Sequence, residues 1–448
     1  MVIGAANKLP WNSIMKDLSY FKKMTEGHIV IMGKNTFFSI PEPPLKNRYN
    51  VVVTSTPHIF KNKENCIFTT LEGIPKVIDG LDKKIFVIGG ESLYRYFLPL
   101  ADTLYLTHLD KICEGDRYFP SFTMFKLDDY SEKHYSESNK CHFQFLTYTK
   151  TTSPQVINDL KYLNLLTKVL SNGRERDDRT GTGTISTFGR HIRFDISTSV
   201  PLLTTKFVPW KACIKELLWF LKGQTDAKIL QEQGVHIWDG NTSREFLDKR
   251  GLSHLPEGDI GCGYGFQWRH FGADYKTCHD NYDGQGFDQI QYIIDELKTD
   301  PYSRRIFMTA WNASHLQGMA LPPCHVSCQF YVEDIDGIKH LSCHMYQRSV
   351  DCFLGLPFNI FSYSVLTYIL AMICDMKPKE LVISMGDTHI YKDHIDAVKV
   401  QLTKAPIVPA KLILNERLKM CPIGDMHIDD FDLVGYFHHN ALKAKMSV

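Results

Sequence analysis

A chain of 448 residues is too long for one ordinary hydrophobic core, so two domains are expected. A hydrophobic share of 44% against 23% charged residues places it with globular proteins, not fibrous or disordered ones. The formal net charge of +1 excludes a polybasic nucleic-acid coat as the main theme, yet leaves room for anionic ligands held by a few arginines.

The opening residues, Met1 to Lys8, have no basic stretch followed by a long apolar core, so no signal peptide is expected. Apolar runs follow at Ile29–Met32, Tyr49–Thr54 and Lys84–Ile88. Such runs suit strands buried on both faces of a largely parallel sheet covered by helices. Thr103–Thr107 and Phe143–Tyr148 read as further strands. Gly33–Phe38 and Gly89–Phe97 each place glycine or polar residues where a strand gives way to a helix, a setting suited to phosphate. Around Lys150–Pro154 the chain turns polar. Val156, Leu160, Leu163, Leu166 and Leu170 then recur at helical spacing up to Gly173. These signals divide the chain into a domain at 1–152, a short linker at 153–157 and a second domain at 158–448.

In the second part, Tyr363–Cys374 is the most apolar long stretch; it is too short to span a bilayer and reads as a buried helix. No membrane or nucleic-acid partner is expected. Scattered cysteines in a large chain of this kind point to reduced thiols and a cytoplasmic location. No metal is expected: Cys324-His325 and Cys343-His344 lack finger-like spacing, and neighbouring strand residues point to opposite faces.

Two groups of motifs carry chemistry. Leu321-Pro322-Pro323-Cys324-His325 lies one strand's length ahead of Tyr346-Gln347-Arg348-Ser349. A guanidinium near a cysteine favours the thiolate, the form that attacks carbon, and two prolines stiffen the approach. Asp178-Arg179-Thr180-Gly181-Thr182-Gly183 reads either as an ordinary turn or as a phosphate clamp. In the first part Leu9-Pro10-Trp11, Asp17, Phe21, Met32-Gly33-Lys34-Asn35-Thr36, Leu45-Lys46-Asn47-Arg48, Ile88-Gly89-Gly90-Glu91 and Tyr105-Leu106-Thr107-His108 follow in order.

That first series resembles dihydrofolate reductase, which implies an α/β domain using NADPH. The resemblance makes Asp17 the acid that serves pterin reduction, braced by Thr107, with burial raising its pKa. Phe21, Ile40 and Leu45 would pack the folate ring and benzoyl group, and Arg48 would pair with the folate glutamate. Lys34, Thr36, Thr54, Ser55, Gly89, Gly90, Glu91 and Ser92 would hold NADPH. The match begins after the family's first strand, so the sheet is expected to lack it, with two ladders of backbone groups left unpaired.

From about Leu160 onward the motifs Asp300-Pro301-Tyr302-Ser303-Arg304-Arg305, Leu321–His325, Tyr346–Asp351, Gly355-Leu356-Pro357-Phe358-Asn359 and Gly386-Asp387-Thr388-His389-Ile390-Tyr391 closely resemble thymidylate synthase. The resemblance implies an α+β domain that methylates deoxyuridylate (dUMP) with 5,10-methylenetetrahydrofolate. Cys324 would be the nucleophile, with Glu216, Tyr264 and Arg348 as catalytic partners. Arg179, Arg304, Arg305, His325, Gln347, Ser349, Asn359, His389 and Tyr391 would bind dUMP. Arg304 and Arg305 would serve the partner subunit's phosphate, which makes a homodimer the expected assembly. Trp238, Asn241, Asp351 and the terminal Val448 would seat the folate. Gly261-Cys262-Gly263 replaces a stiffer family segment and predicts a freer backbone before Tyr264. His438-His439-Asn440 replaces a proline-bearing turn, so tail closure is expected to differ in detail. Two other readings exist: a synthase with a non-catalytic first domain, or a hydroxymethylase acting on deoxycytidylate. Asn359 argues against the latter, because a cytosine amine favours a carboxylate acceptor.

Overall fold

The computed structural model describes residues 1–6, 8–151 and 158–446. The chain divides into two compact units, Met1–Gln155 and Val156–Val448. The expected linker, Val156 and Val448 lie outside the described residues.

The first unit opens with β1 (Val2–Gly4). The apolar runs become β2 (Ile29–Gly33), β3 (Tyr49–Val53), β4 (Cys66–Thr69) and β5 (Ile85–Val87), a parallel sheet in the order β4-β3-β2-β5. They are followed by β6 (Thr103–Leu109), β7 (Arg117–Tyr118), β8 (Phe125–Tyr130), β9 (His134–Ser136) and β10 (Cys141–Lys150). Here the order is β6-β10-β8, antiparallel, with β9 also on β10 and β7 pairing with β1. The parallel sheet thus shares the unit with an antiparallel one. β5 and β6 each end their own sheet and do not pair with each other. Burial on both faces holds for Ile29, Val30, Ile31 and Met32 but not for β5, where Ile85 is 49% exposed. An edge strand lacks a neighbour on one flank, which accounts for the difference.

Helix Met15–Thr25 puts Asp17 and Phe21 one turn apart on the same face. Helix Lys34–Ser39 follows β2 directly, and helix Glu91–Phe97 follows β5 after Ile88, Gly89 and Gly90.

The second unit is built on β11 (Arg174–Arg176), β12 (Thr184–Asp195), β13 (Phe307–Thr309), β14 (His325–Ile335), β15 (Ile338–Asp351) and β16 (Lys377–Tyr391). Their order is β11-β12-β16-β15-β14-β13; β15 and β16 run parallel and the other pairs antiparallel. Helix Asn158–Asn172 buries Tyr162, Leu163, Leu165, Leu166 and Val169, whereas Leu160 is 53% exposed. The apolar stripe is therefore centred on Leu166, part of a turn away from the expected one. The apolar stretch expected at Tyr363–Cys374 is the second half of a longer helix, Gly355–Ile373. At 19 residues it has the length of a membrane span, but most of it is buried in this unit's core. There it packs on β15 and β16 and holds the strands that carry Gln347, Arg348 and His389.

Candidate functional site

In the first unit the hydroxyl of Thr107 donates to Asp17 at 2.6 Å, joining β6 to the first helix. Burial pushes the Asp17 carboxyl above its usual range, and the Thr107 bond pulls it back in part. Arg48 is buried; it donates to the Lys46 carbonyl at 3.0 Å and the Thr25 hydroxyl at 3.2 Å. Its guanidinium also lies 6.0 Å from the Phe21 ring centroid. Ile40 and Leu45 pack against the cluster of Val30, Met32, Phe37 and Val52.

The Gly33 amide donates to the Gly89 carbonyl at 2.8 Å, which draws Lys34–Thr36 together with Gly89–Ser92. A side chain on Gly89 would begin 3.5 Å from the Thr36 hydroxyl, at a backbone φ of +121° that favours glycine. Two bare glycines facing a hydroxyl leave backbone groups open to a phosphate-bearing ligand, so these residues fit NADPH. Thr54 is buried, while Lys34, Ser55 and Ser92 are exposed. The Glu91 carboxylate is already engaged: Arg95 donates to it at 2.8 Å and the Tyr118 amide at 3.0 Å.

In the second unit Cys324 stands just ahead of β14. Its amide donates to the Tyr264 hydroxyl at 2.8 Å, and its carbonyl accepts from the Arg348 amide at 2.9 Å. The Arg348 side chain donates to the carbonyls of Pro322 and Pro323, both at 2.8 Å, and lies 5.5 Å from the Trp311 ring centroid. It therefore fixes the proline segment ahead of Cys324 as well as supplying charge. The expectation of a readily ionised thiol needs correction. Burial is the largest influence and pushes the Cys324 thiol up; Arg348, Tyr264 and Arg179 pull it back without reversing it.

Tyr264 is buried, stacks on Phe220 with centroids 4.9 Å apart, and lies 4.3 Å from the His325 ring. Its φ of +29° is unusual for a residue with a side chain. The backbone ahead of it is not loose. Gly261 sits at φ +73°, and a Cβ there would meet the Gly318 carbonyl oxygen at 2.0 Å, so contact requires this glycine.

The carboxyl of Glu216 accepts the Trp238 indole N–H at 2.8 Å. Burial pushes it up to about 7, and the Trp238 bond opposes that rise. Burial takes His325 the other way, down to about 3, so it is a neutral ring beside the Tyr363 hydroxyl at 2.9 Å. Gln347 donates to Asn359 Oδ1 and to the Ser349 carbonyl, each at 3.2 Å. His389 Nδ1 lies 3.1 Å from Asp387, which also accepts from Ser186 at 2.7 Å and Arg176 at 2.8 Å. The rings of His389 and Tyr391 meet edge-on at 5.1 Å. Asn241 is buried one turn after Trp238 and its amide donates to the Trp238 carbonyl at 3.1 Å. Asp351 caps the following turn, accepting from Phe353 at 2.9 Å and Leu354 at 3.1 Å.

Arg179 is exposed and acts electrostatically on both Cys324 and Tyr391. Arg304 and Arg305 are also exposed, are not among the groups acting most strongly on Cys324, and form no ion pair among the described residues.

Several residues of this site carry no role in the sequence reading. Asp387 lies inside the motif Gly386–Tyr391, but its position as a hub for Arg176, Ser186 and His389 emerges only from the pairing of β12 with β16. Lys206 is buried, donates to the Phe353 carbonyl, stands 3.7 Å from the Phe353 ring centroid, and is pulled down to about 7 by burial. Its only signal in the sequence is a lysine close to Leu202, Leu203, Phe207 and Val208. Tyr363 and Trp311, which support His325 and Arg348, had no distinguishing spacing.

Comparison with known families assigns each unit a match. The model described as Dihydrofolate reductase matches residues 1–150, and the one described as Thymidylate synthase matches residues 160–448. Bifunctional dihydrofolate reductase-thymidylate synthase 1 of Arabidopsis thaliana is 40% identical over 100% of this chain and 94% of its own length. The Paramecium tetraurelia protein of the same description is 42% identical over 100% of this chain and 96% of its own length. That of Leishmania major is 37% identical, covering 100% and 93%. The chain belongs to the bifunctional dihydrofolate reductase–thymidylate synthase family.

Proposed function

We propose that this one polypeptide converts dUMP to thymidylate with 5,10-methylenetetrahydrofolate and reduces the dihydrofolate so formed. One observation carries the reading. A single chain joins a synthase segment, whose buried thiol is braced by Arg348 and Tyr264, to a reductase segment with a buried carboxyl raised in pKa.

In the synthase unit Cys324 adds to carbon six of the uracil ring, making carbon five a nucleophile toward the one-carbon unit. Desolvation disfavours the free thiolate, so ionisation is coupled to substrate binding, with Arg348 and Arg179 stabilising the charge. Glu216, held near neutrality, can both accept and donate a proton at working pH. Tyr264 assists removal of the carbon-five proton. Asn359, fixed by Gln347, reads the uracil amide edge, and His389 with Tyr391 holds the sugar hydroxyl. Arg179, Arg348 and Ser349 hold the phosphate. Arg304 and Arg305 lie exposed without ion-pair partners among the described residues, which supports their service to a second subunit and hence a homodimer. Trp238, Asn241, Asp351 and Val448 seat the folate.

In the reductase unit Asp17 orients the pterin and supplies the proton path to it, with Thr107 fixing the carboxyl. Phe21, Ile40, Leu45 and Arg48 line the folate side. Lys34, Thr36, Thr54, Ser55 and the Gly89–Ser92 segment hold NADPH, which supplies the hydride when bound. The cysteines, all free, support a reducing and therefore cytoplasmic setting.

Two substitutions test the division of labour. Cys324→Ser is expected to abolish thymidylate formation and leave NADPH-dependent reduction of dihydrofolate intact; Asp17→Asn is expected to do the reverse. Loss of both activities in either variant contradicts independent sites.

A further inference from the structure

Among the described residues one group of side chains outside both sites has the composition and closeness of a metal site. The donor atoms of Asp226, Cys278 and His279 all lie within 4.8 Å of one another. The Cys278 sulfur is already 3.7 Å from His279 Nδ1 and 3.9 Å from Nε2. Two ligands of a tetrahedral zinc, at about 2.3 Å for sulfur and 2.0–2.1 Å for nitrogen, stand roughly 3.5 Å apart. Small side-chain rotations therefore suffice to bring the donors onto one ion.

The backbone beneath these donors is fixed. Asp226 and Asp259 form an antiparallel bridge, and the Asp226 carboxylate accepts from the Lys228 amide at 2.9 Å. Asp259, fully buried, accepts from the Cys278 amide at 2.8 Å, the Gly261 amide at 2.7 Å and the Tyr275 hydroxyl at 2.6 Å. The turn holding the other two donors is closed by the Thr277 hydroxyl, which donates to Asp280 at 2.7 Å. Asp259 thus occupies the supporting position that orients a first ligand. Two carboxylates flank one thiol here, an anionic arrangement that a divalent cation relieves. Sulfur, imidazole and carboxylate together select a borderline-soft ion of the zinc class over magnesium or calcium.

We propose that Asp226, Cys278 and His279 bind one zinc-class divalent cation, with solvent as the fourth ligand. The ion clips the segment between Phe271 and Phe287, whose ends pair at 2.9 and 3.0 Å, onto the turn before Lys228. That segment follows the helix Gly265–Arg269, which begins directly after Tyr264. The site is structural: none of its three donors figures among the residues assigned to either reaction.

The test is cobalt and zinc titration of the full-length protein after chelator treatment. Expected are one tightly held ion per chain, a thiolate-to-cobalt charge-transfer band, and a rise in Tm with zinc. Cys278→Ser should abolish the band, and His279→Asn, at an exposed position, should weaken uptake at least tenfold while the fold, by circular dichroism, stays unchanged. Absence of stoichiometric uptake, or an undiminished band in Cys278→Ser, overturns the proposal, the latter by placing the ion on another of the free cysteines.

Discussion

The indole N–H of Trp238 donates to the carboxyl of Glu216 at 2.8 Å, tying a residue proposed to touch folate to the proposed proton relay. The bond favours the charged carboxylate, so it acts against the burial that holds Glu216 at about 7. Trp238→Phe should therefore raise the Glu216 pKa further. The limb of the synthase pH–rate profile that reports this group should move to higher pH; an unmoved limb would detach Glu216 from it.

The same carboxyl links pH to stability. Its folded pKa lies above the ordinary 4.5, so the folded state holds the proton more tightly than the unfolded chain. The resulting cost is absent below about pH 4.5, grows up to about pH 7, and is fully present above it. Glu216→Gln should raise Tm over the parent at pH 8 but not at pH 4.5, while lowering synthase kcat by about 10²–10⁴. A Tm difference independent of pH would contradict the assignment.

Arg348 commits two of its guanidinium donors to the carbonyls of Pro322 and Pro323. A lysine is a single point donor and cannot reproduce that fork. Arg348→Lys should loosen the approach to Cys324 and leave its thiol still harder to ionise. Alkylation of Cys324 by iodoacetamide should then slow by about tenfold for each unit of further pKa rise. Unchanged alkylation would confine Arg348 to phosphate binding.

In the first unit the Thr107 bond lowers an Asp17 pKa that burial raises. Thr107→Val keeps the shape and removes the donor. The reductase pH–rate limb assigned to Asp17 should move upward, with NADPH oxidation as the readout and the synthase profile unaffected. A limb that stays in place would reduce Thr107 to packing.

Near the C-terminus, buried His394 places Nε2 2.8 Å from the Lys445 carbonyl, with Nδ1 3.9 Å from Asp351. His394→Phe fills the space without the hydrogen bond. KM for methylenetetrahydrofolate should rise about fivefold, the equivalent of one hydrogen bond of ~1 kcal/mol, and tryptic cleavage after Lys443 should accelerate. Unaltered proteolysis would leave the tail held by other contacts.

The proposed site residues could be named from the sequence because chemistry confines their types and their order along the chain. Cys324, Arg348, Asn359 and His389 sit in words long enough to identify without coordinates. Burial was not legible in the same way, because it is a property of the folded neighbourhood. Hence the Cys324 thiol moves opposite to the direction its neighbouring arginine suggested, and Ile85 is exposed although its run reads as interior. Gly261 looked like freedom and is a close contact with Gly318. Lys206, Asp387 and the Asp226–Cys278–His279 group depend on segments distant in sequence, which spacing along one segment does not register. Asp17 and Thr107 met as expected since β6 and the first helix carry both family words.

The most direct measurement is a two-stage assay on the whole chain. Supplied with dUMP and methylenetetrahydrofolate, the protein should generate dihydrofolate; on addition of NADPH, that dihydrofolate should disappear with stoichiometric NADPH oxidation. Dihydrofolate that forms and then persists in the presence of NADPH would contradict the bifunctional account and leave a synthase joined to an inactive first unit.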